Sequence, residues 1–229
     1  MTQVFPRWFD AAARVAIVGA ILLIPATAVG LAIFYRSDYV TGAKTAYEQP
    51  APFSHAHHSG QLGIDCRYCH TSSEDSAFAG MPPTETCMNC HQQIWVGAET
   101  LAPVRESWKS NNPLRWQRVH NLPEFVYFHH GAHVAKGVGC VECHGRVDRM
   151  SLTWQAKPLT MGWCLDCHRN PGGHLRPRGE VTNMTWTPAD ATDPATGSQL
   201  GVDELARRLK NDYRIDSPRQ LTSCSTCHR

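Results

Sequence analysis

The sequence predicts a mainly α-helical chain with extensive irregular loops, one N-terminal transmembrane helix and almost no sheet. Three observations predict it. Val15 to Tyr35 is a run of 21 residues without a charge. All ten cysteines fall into five short Cys-x-x-Cys-His motifs, each the length of a helical turn. The connections between motifs are long, and residues 169 to 202, rich in Pro, Gly, Thr and Asp, read as a loop wrapping the outside.

The charge-free run, VAIVGAILLIPATAVGLAIFY, is long enough to cross a bilayer core of roughly 30 Å. Arg7 and Arg14 precede it and Asp38 follows, so the positive-inside bias leaves the N-terminus cytoplasmic and everything after Ser37 outside. A cleavable leader ending at Ala26-Thr27-Ala28 is the competing reading, but the apolar run continues past it, and an uncleaved anchor is expected. Pro25 removes one backbone donor and is a place for a kink. Ala12, Ala16 and Ala20, then Ala26 and Gly30, are small residues four apart, a face on which helices approach closely in lipid.

The motifs are Cys66-Arg-Tyr-Cys69-His70, Cys87-Met-Asn-Cys90-His91, Cys140-Val-Glu-Cys143-His144, Cys164-Leu-Asp-Cys167-His168 and Cys224-Ser-Thr-Cys227-His228. On one helical turn the two thiols share a face and reach the two vinyl groups on one porphyrin edge. The next residue then sets its imidazole under the iron as proximal ligand. Zinc would draw thiolates from two knuckles per ion and has no need of five regularly placed histidines. The motifs therefore predict a multihaem cytochrome c organised around five haem c groups. Cys66, Cys69, Cys87, Cys90, Cys140, Cys143, Cys164, Cys167, Cys224 and Cys227 would carry the thioether bonds, with His70, His91, His144, His168 and His228 as proximal ligands. No cysteine is left for a disulfide or a catalytic thiol.

The motif starts are separated by 21, 53, 24 and 60 residues, so the first four form two close pairs. Each pair follows a similar phrase, Phe53-Ser-His55-Ala-His57-His58 and Phe128-His129-His130-Gly-Ala-His133. This is a two-haem repeat of about 75 residues, over about 53–91 and 128–168, with a fifth motif appended at 224–228. Two histidines on one helical turn point at different angles, so His55, His58, His130 and His133 are expected as distal ligands, each pair serving two haems. His174 follows the fourth motif and can fold back as the fifth, with His120 and Met161 as weaker candidates. His57 and His129 have no counterpart in the alignment and are expected to be solvated or bonded to propionates. Residues 203 to 215 read as a helix with Leu205, Leu209 and Tyr213 on one stripe, positioning the last haem.

The formal charge of +2 describes the polypeptide alone. Ten ionised propionates would bring it to about −8 with ferrous haems and about −3 with ferric ones, which removes a nucleic-acid reading. The chain divides into residues 1–36 (cytoplasmic end and anchor), a linker at 37–52 and an extracytoplasmic pentahaem domain at 53–229.

Several phrases carry a family resemblance. They are Arg118-Val-His-Asn-Leu-Pro-Glu-Phe-Val-Tyr-Phe128, Gly137-Val-Gly-Cys-Val-Glu-Cys-His-Gly-Arg-Val-Asp148, and Met161-Gly-Trp-Cys-Leu-Asp-Cys-His-Arg-Asn-Pro171 with His174-Leu-Arg-Pro177. With the anchor and five motifs, the chain from about residue 50 onward resembles the membrane-anchored pentahaem cytochrome c of bacterial alternative complex III. The resemblance implies an electron-transfer subunit with no catalytic site of its own. Its partners would be polytopic quinol-oxidising subunits and an iron–sulfur subunit. Its acceptor would be a periplasmic cytochrome c, a blue copper protein or an oxidase. The histidine phrases also resemble those of small three- and four-haem cytochromes. That likeness implies that His58 serves the Cys66 haem and His133 the Cys140 haem, while His55 and His130 reach neighbouring haems. The alternatives are a membrane-anchored quinol-dehydrogenase cytochrome feeding a periplasmic reductase, and a haem enzyme with an open iron position.

Overall fold

A computed structural model gives the structure and describes residues 4–228. The first three residues of the expected cytoplasmic end and the last residue of the expected pentahaem domain lie outside the described residues. Helix α1 (Arg7–Arg36) takes up the charge-free run, extends beyond it at both ends and continues through Pro25. Its 30 residues span about 45 Å. None of its side chains is buried by the rest of the described chain, and its apolar surface is long enough to cross a membrane.

The chain then makes the short helix α2 (Asp38–Thr41) and turns at Gly42, whose φ of 68° suits glycine. The linker after it is held down rather than free. Lys44 donates its backbone N–H to the Gln155 carbonyl (2.7 Å), Ala46 bridges Trp154, and Ala51 is buried beside Met88 and Val104.

From residue 56 the fold is short helices on irregular connections, with three isolated bridges and no strand among the described residues. A single π-helical turn, Ala56–Gln61, carries His57 and His58 of the first histidine phrase, with His55 just before it. Then come α3 (Cys66–Cys69), α4 (Thr84–His91), α5 (Ala102–Ser110), α6 (His130–Ala135), α7 (Cys140–His144), α8 (Met161–Arg169), α9 (Val202–Asp212), α10 (Pro218–Leu221) and α11 (Cys224–Cys227). The expected outer loop contains three 3₁₀ turns, at Pro171–His174, Arg178–Glu180 and Pro188–Asp190. Helix α9 forms where the apolar stripe and the acid-first charge order place it, and Glu204 pairs with Arg208 at 2.6 Å. Its buried Leu205 and Leu209 pack on Leu175 and Ala191, so the stripe clamps the outer loop rather than the last motif.

The core made by side chains is small for a chain of 229 residues. Leu175, Ala191, Leu205 and Leu209 form one cluster, and Ala51, Met88 and Val104 another. Neither cluster joins the motif helices to one another.

Candidate functional site

Each Cys-x-x-Cys-His motif lies on a helix. Helices α3, α7 and α11 begin on the first cysteine, while α4 and α8 begin three residues before it. Polar caps fix two of these starts, Asp65 for α3 and Thr160 for α8. Asp65 accepts from the Arg67 backbone N–H at 2.8 Å, and its carboxylate also takes the Arg67 guanidinium at 2.8 and 2.9 Å. The Arg67 hydrogen bond holds the Asp65 carboxyl at about 2, below its ordinary 3.8. Asp65→Ala is expected to cost about 1 kcal/mol at neutral pH, the size of a lost N-cap. A depressed carboxyl stabilises above its unfolded value, so the cost should vanish as pH falls from about 4 toward 2. Thermal unfolding at both pH values measures it; an equal loss at each would contradict the cap.

The histidines come in opposed pairs. His55 faces His70 with ring centroids 6.5 Å apart, and His58 faces His91 at 6.2 Å. In the second repeat His130 faces His144 at 6.3 Å and His133 faces His168 at 6.1 Å. Two metal–nitrogen bonds of about 2 Å plus the half-width of each ring give roughly 6 Å, the spacing of two imidazoles on one haem iron. Among the described residues no three histidines, cysteines or carboxylates converge on one point. Opposed pairs fit a porphyrin iron; a tetrahedral zinc needs convergence.

The tautomers fit as well. A carbonyl can only accept, so a ring nitrogen against one must carry the proton and leave the other nitrogen free to bind metal. His70 Nδ1–H donates to the Gly80 carbonyl (2.9 Å), His91 to Ile94 (3.3 Å), His168 to Leu221 (3.0 Å) and His228 to Phe125 (3.0 Å). On the opposing side His58 donates to Ser54 (2.9 Å), His130 to Ser73 (2.7 Å) and His133 to His129 (2.9 Å). His55 Nδ1 is bonded to Thr153 Oγ1 at 2.8 Å. Burial keeps several rings neutral, pushing His55 to about 4 and His144 to about 3. The neutral ring is the ligating form.

The pairing corrects one expectation. His58 is set opposite His91, not His70, and His133 opposite His168, not His144; the earlier histidine of each phrase faces the nearer motif. The turn after each phrase explains it. Gly63 (φ 68°) and Gly137 (φ 78°) reverse the chain, and the His58 and His133 carbonyls accept from Ile64 (3.1 Å) and Val138 (3.0 Å). The later histidine is therefore tied to the turn by its own carbonyl, and its ring faces the farther motif while the earlier ring faces the nearer one. The first phrase is one residue further from its motif than the second, and the π-helical turn at Ala56–Gln61 absorbs that extra residue.

The remaining candidates lie apart from these pairs. His174 faces no motif histidine; its Nδ1 is bonded to Glu142 Oε2 at 2.9 Å, which raises its pKa. His120 lies only 4.3 Å from His144, too close for a porphyrin between them, and its buried Nε2 has no hydrogen-bond partner among the described residues. Met161 is exposed at the start of α8. His228 has the Phe125 ring beside it at 5.9 Å and no opposed imidazole among the described residues. His129 accepts from the Ala132 N–H (3.1 Å) and caps α6, a role its position before a helix could have signalled. His57 lies over Trp95 at 5.8 Å.

No family model matches the chain. It is similar to the multiheme cytochrome c subunit of menaquinone reductase from Nitratidesulfovibrio vulgaris, 38% identical over 187 residues that cover 80% of this chain and 77% of that protein. The chain belongs to this family of multihaem cytochrome c subunits. This multihaem cytochrome is also 26% identical over 112 residues to the acrylate reductase cytochrome subunit of Shewanella woodyi, covering 49% of the one and 69% of the other. Its activity is thus electron transfer through c-type haem in a membrane-linked protein. When bound, haem would supply one-electron chemistry at iron; the motif cysteines would hold it, and the opposed histidines, their tautomers set by the bonds above, would be its ligands.

Proposed function

We propose that the cytochrome carries five haem c groups, one per motif, and relays electrons from a quinol-oxidising membrane complex like alternative complex III to an extracytoplasmic acceptor. The observation that carries this reading is the set of four opposed imidazole pairs, each closing on a different motif. The fifth haem binds at Cys224 and Cys227 with His228 as proximal ligand. His174 and Met161 are the candidates for its distal position, since His120 lies against His144 at the Cys140 site. With α1 in the bilayer and its N-terminus cytoplasmic, the haem-bearing part lies on the periplasmic side. There a cytochrome c, a blue copper protein or an oxidase takes the electrons, and the polytopic and iron–sulfur subunits deliver them.

The opposed pairs give four irons two protein ligands each, so no open iron position for substrate chemistry is proposed there. The mass of the purified chain tests the count: it should exceed the polypeptide by five haems, and four or fewer would overturn it. Carbon monoxide should bind little of the native reduced protein.

A second reading reverses the flow, with electrons from a periplasmic donor reaching membrane quinone. The name of the menaquinone reductase relative favours it. The isolated membrane complex separates the two. Reduction of a ferric periplasmic acceptor by a menaquinol analogue supports the first, and reduction of a menaquinone analogue by a ferrous donor alone supports the second.

A further inference from the structure

The motifs are not arranged in space as they are in sequence. We propose that the two repeats pack about an approximate two-fold axis between Cys66 and Cys140, so that the haem sites form one unbranched row in the order Cys87, Cys66, Cys140, Cys164, Cys224. This rests on the five-haem reading and adds a connectivity that the motif count does not contain.

Reciprocal contacts carry the two-fold. Ala56 donates its backbone N–H to the Met150 carbonyl at 3.0 Å. Gly131, the residue equivalent to Ala56, donates to the Ser76 carbonyl at 2.8 Å. Met150 and Ser76 each lie ten residues beyond the first cysteine of their repeat. The distal histidines repeat the exchange: His55 Nδ1 is held by Thr153 of the second repeat, and its equivalent His130 by Ser73 of the first. Each phrase is thus anchored on the other repeat's segment after its first motif, as in the self-complementary interface of a symmetric dimer. The close approach needs glycine at two places, since a Cβ on Gly131 would collide with the Glu74 carbonyl oxygen and one on Gly60 with the Asp148 carbonyl oxygen.

Four junctions then set the row. The Cys87 and Cys66 sites share the phrase that holds His55 and His58, and Asn89 donates to Tyr68 Oη across the two motifs at 3.1 Å. The Cys66 and Cys140 sites meet on one segment of the outer loop: Cys140 donates its backbone N–H to the Val181 carbonyl at 3.0 Å, and the next residue, Thr182, donates its hydroxyl to Asp65, the cap of the Cys66 helix, at 3.2 Å. The Cys140 and Cys164 sites share the phrase that holds His130 and His133. The Cys164 and Cys224 sites join through α8 and α10, with the His168 ring donating to Leu221 just before the last motif. Of the ten cysteines only Cys90 and Cys224 are exposed, and they belong to the two ends. Those ends are where partners exchange electrons with the row. Each step between sites moves one electron and makes or breaks no bond; a quinol donor gives up two electrons singly and its two protons go to water.

Timed electron injection into the holoprotein tests the order. A ruthenium photoreductant is placed on a cysteine introduced at exposed Glu99, near the Cys87 end, or at exposed Arg219, near the Cys224 end. His55→Met tags the Cys66 site and His133→Met the Cys164 site, since a thioether ligand raises the potential and marks the spectrum. From Glu99 the Cys66 tag should fill several-fold sooner than the Cys164 tag, and from Arg219 the order should reverse. Equal filling, or one order from both labels, overturns the row. If a methionine does not ligate, the alanine variant at the same position marks the site by its high-spin band. Intact mass on the same samples counts haems, so a failure of the five-haem reading is seen separately from a failure of the order.

Discussion

His133→Ala is expected to turn the haem at Cys164 high-spin and reactive to carbon monoxide, while the haem at Cys140 stays six-coordinate. The His133 ring lies 6.1 Å from His168 and within 20° of parallel to it. The His129 carbonyl fixes its tautomer, and the Phe128 ring stacks on it at 4.5 Å. Burial lowers its pKa, so its lone pair is free at neutral pH. Alanine removes the ligand, and among the described residues no other histidine ring stands opposite His168. His130→Ala should do the same to the Cys140 haem, whose proximal His144 it faces at 6.3 Å. Combining each variant with removal of one haem assigns the signal. The carbon monoxide band of His133→Ala should disappear with Cys164→Ala/Cys167→Ala and persist with Cys140→Ala/Cys143→Ala. The opposite pattern would restore the nearest-motif assignment, and an unchanged spectrum would remove His133 from coordination.

That contrast shows where the sequence was legible. Five motifs with no cysteine left over, a charge-free run and a histidine phrase occurring twice are local patterns, and the short helices, the long apolar helix and the paired histidines follow from them. The partner of each histidine is not local. It depends on where the chain turns after the phrase, and the signal was one residue long: Gly63 and Gly137 keep the same distance from their motifs, while the phrases before them do not. The carbonyls of Gly80, Ile94 and Leu221 carry no side-chain signature, so the residues that fix the proximal tautomers could not be named beforehand. The repeat alignment showed a duplication but not how the two copies pack. The contacts between the copies, His55 with Thr153 across 98 residues and His130 with Ser73 across 57, needed the fold.

The largest stability loss outside the haem ligands is expected at Arg176. This side chain is only 4% exposed and joins the outer loop to the Cys140 motif. Its Nη2 donates to Glu142 Oε1 at 3.1 Å, inside the motif, and its Nη1 to the Asn183 carbonyl at 3.0 Å. The guanidinium covers the Trp186 ring at 5.1 Å, and the chain passes so close that a Cβ on Gly139 would collide with the guanidinium. Burial alone would raise the Glu142 carboxyl, but the His174 hydrogen bond and the His174 and Arg176 charges outweigh it and hold it below its ordinary value. Arg176→Ala leaves that carboxylate with His174 alone and opens a cavity under the motif, a loss of about 3 kcal/mol. For a domain of this size the midpoint of thermal unfolding should fall by about 6–12 °C. Arg176→Lys keeps the charge but not the planar fork, so it should recover only part of the loss. Full recovery by lysine would mean that charge alone matters there, and a midpoint unmoved by alanine would mean the outer loop is held by the Leu205 and Leu209 stripe without it. Because Glu142 lies between the two cysteines of the central motif, the same variant should also move the potential of the Cys140 haem. The ferric haem carries one more positive charge than the ferrous, so removing a nearby buried cation favours the ferric form. The Glu142 carboxylate, no longer neutralised by the guanidinium, favours it too, and both effects lower the potential.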